Sequence, residues 1–264
     1  LTHPAVIAAN ISVIDEISNG RSFVGIGRGA FLDFLNIESE NPVNAVKEAI
    51  EIIQNLTAGT KKPFHGEIFS LKEGAFFRWN ADHRKIPVMV GTWGKKMSTL
   101  AGEKADEVKA SPLWNSEYAQ TLRSQIDQGA ISAGRAPSEI GLTLGVLTSI
   151  HNDSDVAKEY ARNSLAIYLP HLYPMTEVMG VPANEIDNVR KLSNLGKYSE
   201  ASKLISDETL NNFSLYGSPG EIRSKITSLI DTAPVDKIEF GTPHGPNSFE
   251  AINLLKNEVI PWFS

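Results

Sequence analysis

The chain has no cysteine in its 264 residues. That excludes disulfides and thiolate metal sites and makes a cytosolic protein the default. Long apolar runs are missing too: none approaches the ~18 residues a membrane span needs, and no stretch reads as a secretory signal. Positive charge is in deficit. With 25 Lys and Arg against 31 Asp and Glu the net charge is −6, which argues against nucleic acid or a membrane surface as partner. The six histidines form no H-x-x-x-H pair and no His-carboxylate cluster, so no metal site is expected. What remains is ordinary globular composition, 41% hydrophobic and 21% charged. It suffices for one large α/β barrel or two small domains.

The most informative stretch is Ser22-Phe23-Val24-Gly25-Ile26-Gly27-Arg28-Gly29. A β-rich run ends in three glycines at alternate positions. Bare backbone at a strand's end lets a phosphate or a flat ring come close. Gly25-x-Gly27-x-x-Ala30 formally matches the dinucleotide fingerprint. That fingerprint needs a helix opening at once and an acidic residue about 20 residues on, ending a second strand. Ala30 to Glu40 has no clean period, and Glu51 falls inside a helix that starts later, with Asn41 as N-cap and Pro42 at its first position. The dinucleotide reading therefore fails.

Helix and strand alternate along the chain. Val6, Ile7, Ile11, Val13, Ile14 and Ile17 make a helical stripe, closed by Ser18-Asn19-Gly20. Strands are expected at Phe23 to Gly27, Ile86 to Val90, Glu107 to Ala110, Leu142 to Ile150 and Lys237 to Phe240. Helices are expected over residues 42–56, 95–102, 115–133, 153–168, 219–230 and 248–259. Ser218-Pro219-Gly220-Glu221 is a capping box. Residues 61–85 read as an insertion with a small hairpin near Phe64 to Ser70. Residues 170–216 read as short helices without a strand.

Such alternation means a parallel sheet with crossover helices. Three strands end in glycine-containing loops, Gly27–Gly29, Gly91–Gly94 and Gly241–Gly245. In a closed barrel every strand's carboxyl end faces one mouth, so the fold class expected is a (β/α)8 barrel forming a single domain over 1–264. Five strands are counted where the barrel needs eight. At roughly 30 residues per unit, the first strands are expected to precede Leu1.

The ordered set His3-Pro4-Ala5-Val6, Asp15-Glu16-Ile17-Ser18-Asn19-Gly20-Arg21, Gly25-Ile26-Gly27, Ile86-Pro87-Val88-Met89-Val90-Gly91, Leu100-Ala101-Gly102-Glu103-Lys104-Ala105-Asp106, Gly217-Ser218-Pro219 and Gly241-Thr242-Pro243-His244-Gly245-Pro246 resembles the luciferase-like oxidoreductase family. Within it the chain is most similar to the branch of coenzyme F420-dependent methylenetetrahydromethanopterin reductases. The resemblance implies a (β/α)8 barrel holding coenzyme F420, a deazaflavin, or else FMN, with hydride moving to or from the central ring. The protein then positions and tunes the cofactor.

Gly91-Thr92-Trp93-Gly94 opens a helix at Lys95, where backbone N–H groups suit a phosphate; the resemblance places the cofactor's phosphate there as well. Gly27, Arg28 and Gly29 stand where the family packs backbone against the ring. The sugar-phosphate dehydrogenases of the family carry a Glu after the second glycine; this chain has Arg28. The reductases often carry an Asp after the third; this chain has Ala30. Neither acid is carried over, and Arg28 reads equally as an anion ligand or as a solvated loop residue. Lys109, on a short strand between apolar neighbours, has Glu239 as its possible partner, and a structural ion pair is at least as good a reading as a catalytic one. His244 and His171 are candidate acids. His3 most simply packs at a helix start.

Three functions follow: a hydride-transferring oxidoreductase using F420 and acting on CH–NH or CH–OH donors, a monooxygenase using reduced FMN, and a non-catalytic cofactor-binding barrel. A small-molecule substrate and a homodimer or larger homo-oligomer, in the cytoplasm, complete the expectation.

Overall fold

The computed structural model describes residues 2–29, 32, 36–37, 41–79 and 84–263. The chain folds as α/β with a mostly parallel sheet. It divides into two compact units, Leu1–Val108 with Gln125–Gly141, and Lys109–Ser124 with Leu142–Ser264. The expectation attached to Ala30 lies outside the described residues.

In the first unit α1 (Pro4–Ile17) leads to β1 (Val24–Ile26). Next come α2 (Pro42–Thr57), a hairpin of β2 (Phe64–His65) and β3 (Ser70–Leu71), then β4 (Val88–Gly91), α3 (Lys95–Lys104) and β5 (Glu107–Ala110). β1 lies parallel to β4, with Val24 opposite Val88 and Ile26 opposite Val90, and β5 follows beside β4. Helix starts follow the expected chemistry. The Asn41 side chain accepts from the Asn44 N–H at 3.3 Å, with Pro42 next in line. The buried Asp15 accepts from the Ser22 hydroxyl at 2.7 Å and from Arg84 Nε at 2.8 Å, tying the end of α1 to two loops. The hairpin expected in the insertion is present, and it is pinned by one side chain. Glu48 on α2 accepts the backbone N–H groups of Glu67, Ile68 and Phe69 at 2.7, 3.0 and 2.8 Å.

β5 enters the second unit with Lys109 and Ala110. After α4 (Ser116–Ser132), β6 (Gly141–Ile150) is the axis of that unit. From Leu142 to Ile150 every residue is buried, as for a strand covered on both faces. A helical segment follows: α5 (Ser154–Tyr168), α6 (Met175–Val178), α7 (Ala183–Ser193), α8 (Tyr198–Ser202) and α9 (Asp207–Phe213). It runs straight into β7 (Ser214–Gly217), which lies parallel to the last residues of β6. The sequence pattern predicts no strand in 170–216. Ser-Leu-Tyr-Gly is too short to show a period, and only the edge that β6 offers makes it a strand. α10 (Pro219–Ile230), β8 (Lys237–His244) and α11 (Ser248–Leu254) complete the unit. One face of the sheet packs Val146, Ile150 and Leu215 against Ile222 and Ile226 of α10 and against Ala251, Leu255 and Val259. Each of these valine, leucine and isoleucine side chains contributes about 1.5–3 kcal/mol when fully buried.

Among the described residues no ladder closes the sheet into a barrel.

Candidate active site

The glycine run and the phosphate-type loop sit side by side in the first unit, at the ends of adjacent parallel strands. Gly27 follows β1 and Gly91 ends β4. A Cβ placed on Gly27 would stand 3.1 Å from the Gly91 carbonyl oxygen, tighter than side chains tolerate without movement. The two strand ends thus approach as bare backbone. Gly29 follows with a left-handed φ of 92°, and Arg28 between them is exposed.

At β4's end Thr92 is buried, 7% exposed, and its Oγ1 accepts from the Gly94 N–H at 3.2 Å. This closes the turn that aims α3. Gly94 is the N-cap of α3 and supplies no side-chain cap, so the first N–H groups of the helix keep their capacity for an anion. A Cβ on Gly94 would meet nothing within 4 Å. Lys95 and Lys96 are exposed beside it, and Trp93 is half-buried. The residues present fit a phosphate-bearing planar cofactor: open backbone donors with two cations at one strand end, side-chain-free backbone at the next.

The second unit holds the remaining candidates. Lys109 Nζ lies 2.5 Å from Glu239 Oε2, the partner expected from sequence. To reach it the lysine crosses β6 over Gly145, which is in register with Glu239. Glu239 stands five residues before His244, which ends β8, so at about 3.3 Å per residue the pair lies roughly 15 Å below the strand's carboxyl end. Ligands in α/β folds bind at those ends. The geometry makes Lys109 an ion-pair residue within the sheet.

His244 belongs to β8 itself, not to a loop beyond Phe240 as its sequence suggests. Leu147 pairs with Gly241 and Ser149 with His244, so β8 spends three residues where β6 spends two. This β-bulge carries the strand on to His244. His244 takes a φ of 72°, uncommon for a residue with a side chain, and its Nε2 lies 3.0 Å from the Phe240 carbonyl oxygen. His171 is exposed on a turn before α6. His3 caps α1, its Nδ1 accepting from the Ala5 N–H at 3.1 Å, and meets Phe69 edge to face. It stands at the helix start, as its sequence suggests.

Two features escape sequence reasoning. Glu48 reads as one more polar helix residue, yet it organises the hairpin. Burial pushes its pKa up, but hydrogen bonds from Phe69, Ile68, Glu67 and Asn44 outweigh that and hold it below the usual carboxylate range. Ser149 looks like part of a strand, yet among the described residues its buried hydroxyl has no hydrogen-bond partner. Nothing in the local pattern of either residue marks it. Among the described residues no group of three or more His, Asp and Glu is placed to hold a metal, and no helix is long and apolar enough to cross a membrane.

Residues 1–236 match the family model described as luciferase-like monooxygenase. The chain is 31% identical to a 5,10-methylenetetrahydromethanopterin reductase of Archaeoglobus fulgidus, over 98% of this chain and 78% of the relative. It is 30% identical to the reductase of the same name from Methanolobus tindarius, over 97% and 78%. Among solved structures, the coenzyme F420 dependent tetrahydromethanopterin reductase of Methanopyrus kandleri superposes with a TM-score of 0.87 at 26% identity, over all of this chain and 80% of that one.

Proposed function

The chain belongs to the luciferase-like monooxygenase family, and on that premise we propose that it is an oxidoreductase transferring hydride between coenzyme F420 and a small organic substrate. One observation carries the reading: bare strand ends at Gly27 and Gly91 lie beside the Gly94 N-terminus of α3, which no side chain caps. In this reading the N–H groups of Lys95 and Lys96, their ammonium groups and the Thr92–Gly94 turn hold the cofactor's phosphate. Gly27 and Gly29 face its ring, with Trp93 beside the loop. Arg28 binds an anionic part of cofactor or substrate. When bound, the deazaflavin supplies a two-electron hydride acceptor or donor. The chain's own residues bind it, orient it and keep its surroundings ordered.

The similarity to named F420-dependent reductases over nearly the whole chain supports this choice of cofactor. The same proposal includes a single luciferase-type barrel domain and a cytoplasmic homo-oligomer. The family's monooxygenase description favours one second reading, reduced FMN with oxygen. Fluorescence titration of the purified chain with coenzyme F420 and with FMN tests both. Tight F420 binding, weakened when Lys95 and Lys96 become Gln, is the expected result. FMN binding with oxygen consumption establishes the second reading, and binding of neither cofactor leaves a non-catalytic barrel.

A further inference from the structure

The end of α1 holds the chain's one Asn-Gly sequence, Asn19-Gly20. The Asn19 N–H donates to the Glu16 carbonyl at 3.1 Å and the Gly20 N–H to the Asp15 carbonyl at 2.9 Å. These two bonds are the Schellman closure of a helix, with asparagine at the left-handed position that glycine usually takes. Asn19 has a φ of 54° and Gly20 one of 78°. Asparagine tolerates that region better than most side chains. Glycine must follow it, because a Cβ on Gly20 would collide with the Arg84 guanidinium. Arg84 is in turn paired with the buried Asp15 carboxylate at 2.8 Å, and the Ser22 hydroxyl donates to that carboxylate at 2.7 Å. Arg21 Nε adds a bond to the Ser18 carbonyl at 2.9 Å. The turn is thus held by backbone and side-chain bonds together.

The same two residues are a reactive pair. Without a side chain on glycine, its amide nitrogen is unshielded and can attack the carboxamide carbon of the preceding asparagine. Asn19 is exposed, so water has access to it. In the folded turn, however, the Gly20 N–H is donated to Asp15 and is not free to turn towards Asn19 Cγ. We propose that Asn19 is a deamidation site and that the C-cap of α1 decides when it reacts. When the cap opens, the Gly20 nitrogen loses its proton and bonds to Asn19 Cγ. The Cγ–Nδ2 bond breaks and ammonia leaves, giving a cyclic imide. Water then opens the ring, at Cγ to give aspartate or at the backbone carbonyl to give isoaspartate. No electrons are exchanged, and water is the only co-reactant. Isoaspartate lengthens the main chain by one methylene, so the two cap bonds no longer close. Either product puts a carboxylate at the helix C-terminus, where the macrodipole disfavours it. The reaction is therefore a one-way loosening of the turn that leads into β1. All these residues lie in the first unit, and the chemistry needs no cofactor.

The full chain is aged at mildly alkaline pH, folded in buffer and unfolded in urea, and peptide mass spectrometry with electron-transfer fragmentation reads aspartate and isoaspartate at position 19. In urea Asn19 is expected to react ahead of every other asparagine. In buffer it is expected to react at least about tenfold more slowly, the protection that a local opening equilibrium gives. Native-state hydrogen exchange at the Gly20 amide measures the same opening, and its protection is expected to match that of deamidation within about threefold. Arg84→Ala and Ser22→Ala, each removing one bond to Asp15, are expected to speed the reaction severalfold in buffer and to leave the rate in urea unchanged. Purified isoaspartate-19 chain is expected to lose exchange protection at Gly20. If another asparagine reacts first in urea, the site is wrong. Equal rates in buffer and urea, or exchange protection far above deamidation protection, overturn control by the cap. Unchanged Gly20 protection in the isoaspartate chain overturns the one-way loosening.

Discussion

Lys109 on β5 and Glu239 on β8 meet 2.5 Å apart across β6, over a residue that has no side chain. Gly145 makes the crossing possible: a Cβ there would sit 2.9 Å from Lys109 Cε and 2.8 Å from Ser111 Cβ. A polar tie thus spans three strands on the face opposite the α10–α11 core. The pair is partly solvated, with the lysine side chain 27% and the glutamate 49% exposed, so its Coulombic contribution is small.

Gly145→Val is expected to destabilise the fold by about 1–3 kcal/mol, as overpacking does, and to do so mainly by displacing Lys109. Glu239→Gln, which keeps the shape, is expected to cost under about 1 kcal/mol. Urea denaturation of both variants checks the order. A Gln variant as damaging as the Val variant would show that the charge, not the crossing, matters.

Glu48 holds three backbone N–H groups of the insertion with one carboxylate. Its folded pKa is lowered, so its stabilising contribution is present above the unfolded value of about 4.5 and is lost as pH falls through the folded one. Glu48→Gln is expected to cost about 2 kcal/mol at neutral pH, the order of one charge-assisted hydrogen bond, and to weaken the acid sensitivity of the hairpin. Limited proteolysis between Phe64 and Leu71 across pH 2–6, in wild type and variant, reads both effects.

Glu221 links two helix starts. It accepts from the Ser218 N–H and hydroxyl, each at 2.8 Å, and from the Ser154 hydroxyl on α5. These bonds, that of Ser154 first, bring its pKa down to about 2. The sign is that of a depressed carboxylate: the link persists above about pH 4.5 and fades as pH approaches 2. An NMR titration of the Glu221 side-chain carboxyl is expected to find that midpoint. Ser154→Ala is expected to raise it, and a midpoint left unmoved by that substitution would remove Ser154 from the link.

Gly27→Ala tests the ring-binding role of the β1 end. The added methyl would press on the Gly91 carbonyl at 3.1 Å and cover bare backbone at the β1 end. Coenzyme F420 affinity is expected to fall about tenfold or more, equivalent to ~1.4 kcal/mol, well beyond the modest loss of thermal stability that the backbone contact brings. Unaltered affinity in this variant would move the ring-binding role away from Gly27.

Local chemistry made much of the molecule legible from its residues. Asn41-Pro42 and Ser218-Pro219-Gly220-Glu221 announce helix starts because caps act over three or four residues, and the starts appear where expected. The parallel strands were readable because buried parallel strands are continuous apolar runs. The glycines of β1 and β4 flagged a candidate binding edge for a similar reason: bare backbone is unusual wherever nothing needs to approach it.

Relationships between distant residues were settled otherwise. β7 exists because β6 offers it an edge. Glu48 matters because residues about twenty positions away turn their N–H groups towards it. His244 is turned back, by a bulge, onto a carbonyl four residues earlier. Composition, capping and periodicity are properties of neighbours along the chain, and they already contained the α/β class with its parallel sheet and the glycine loops proposed to hold the cofactor. Which lysine meets which glutamate, and which carbonyl a histidine ring turns back to, depends on strand register, and register is set only when the sheet has assembled.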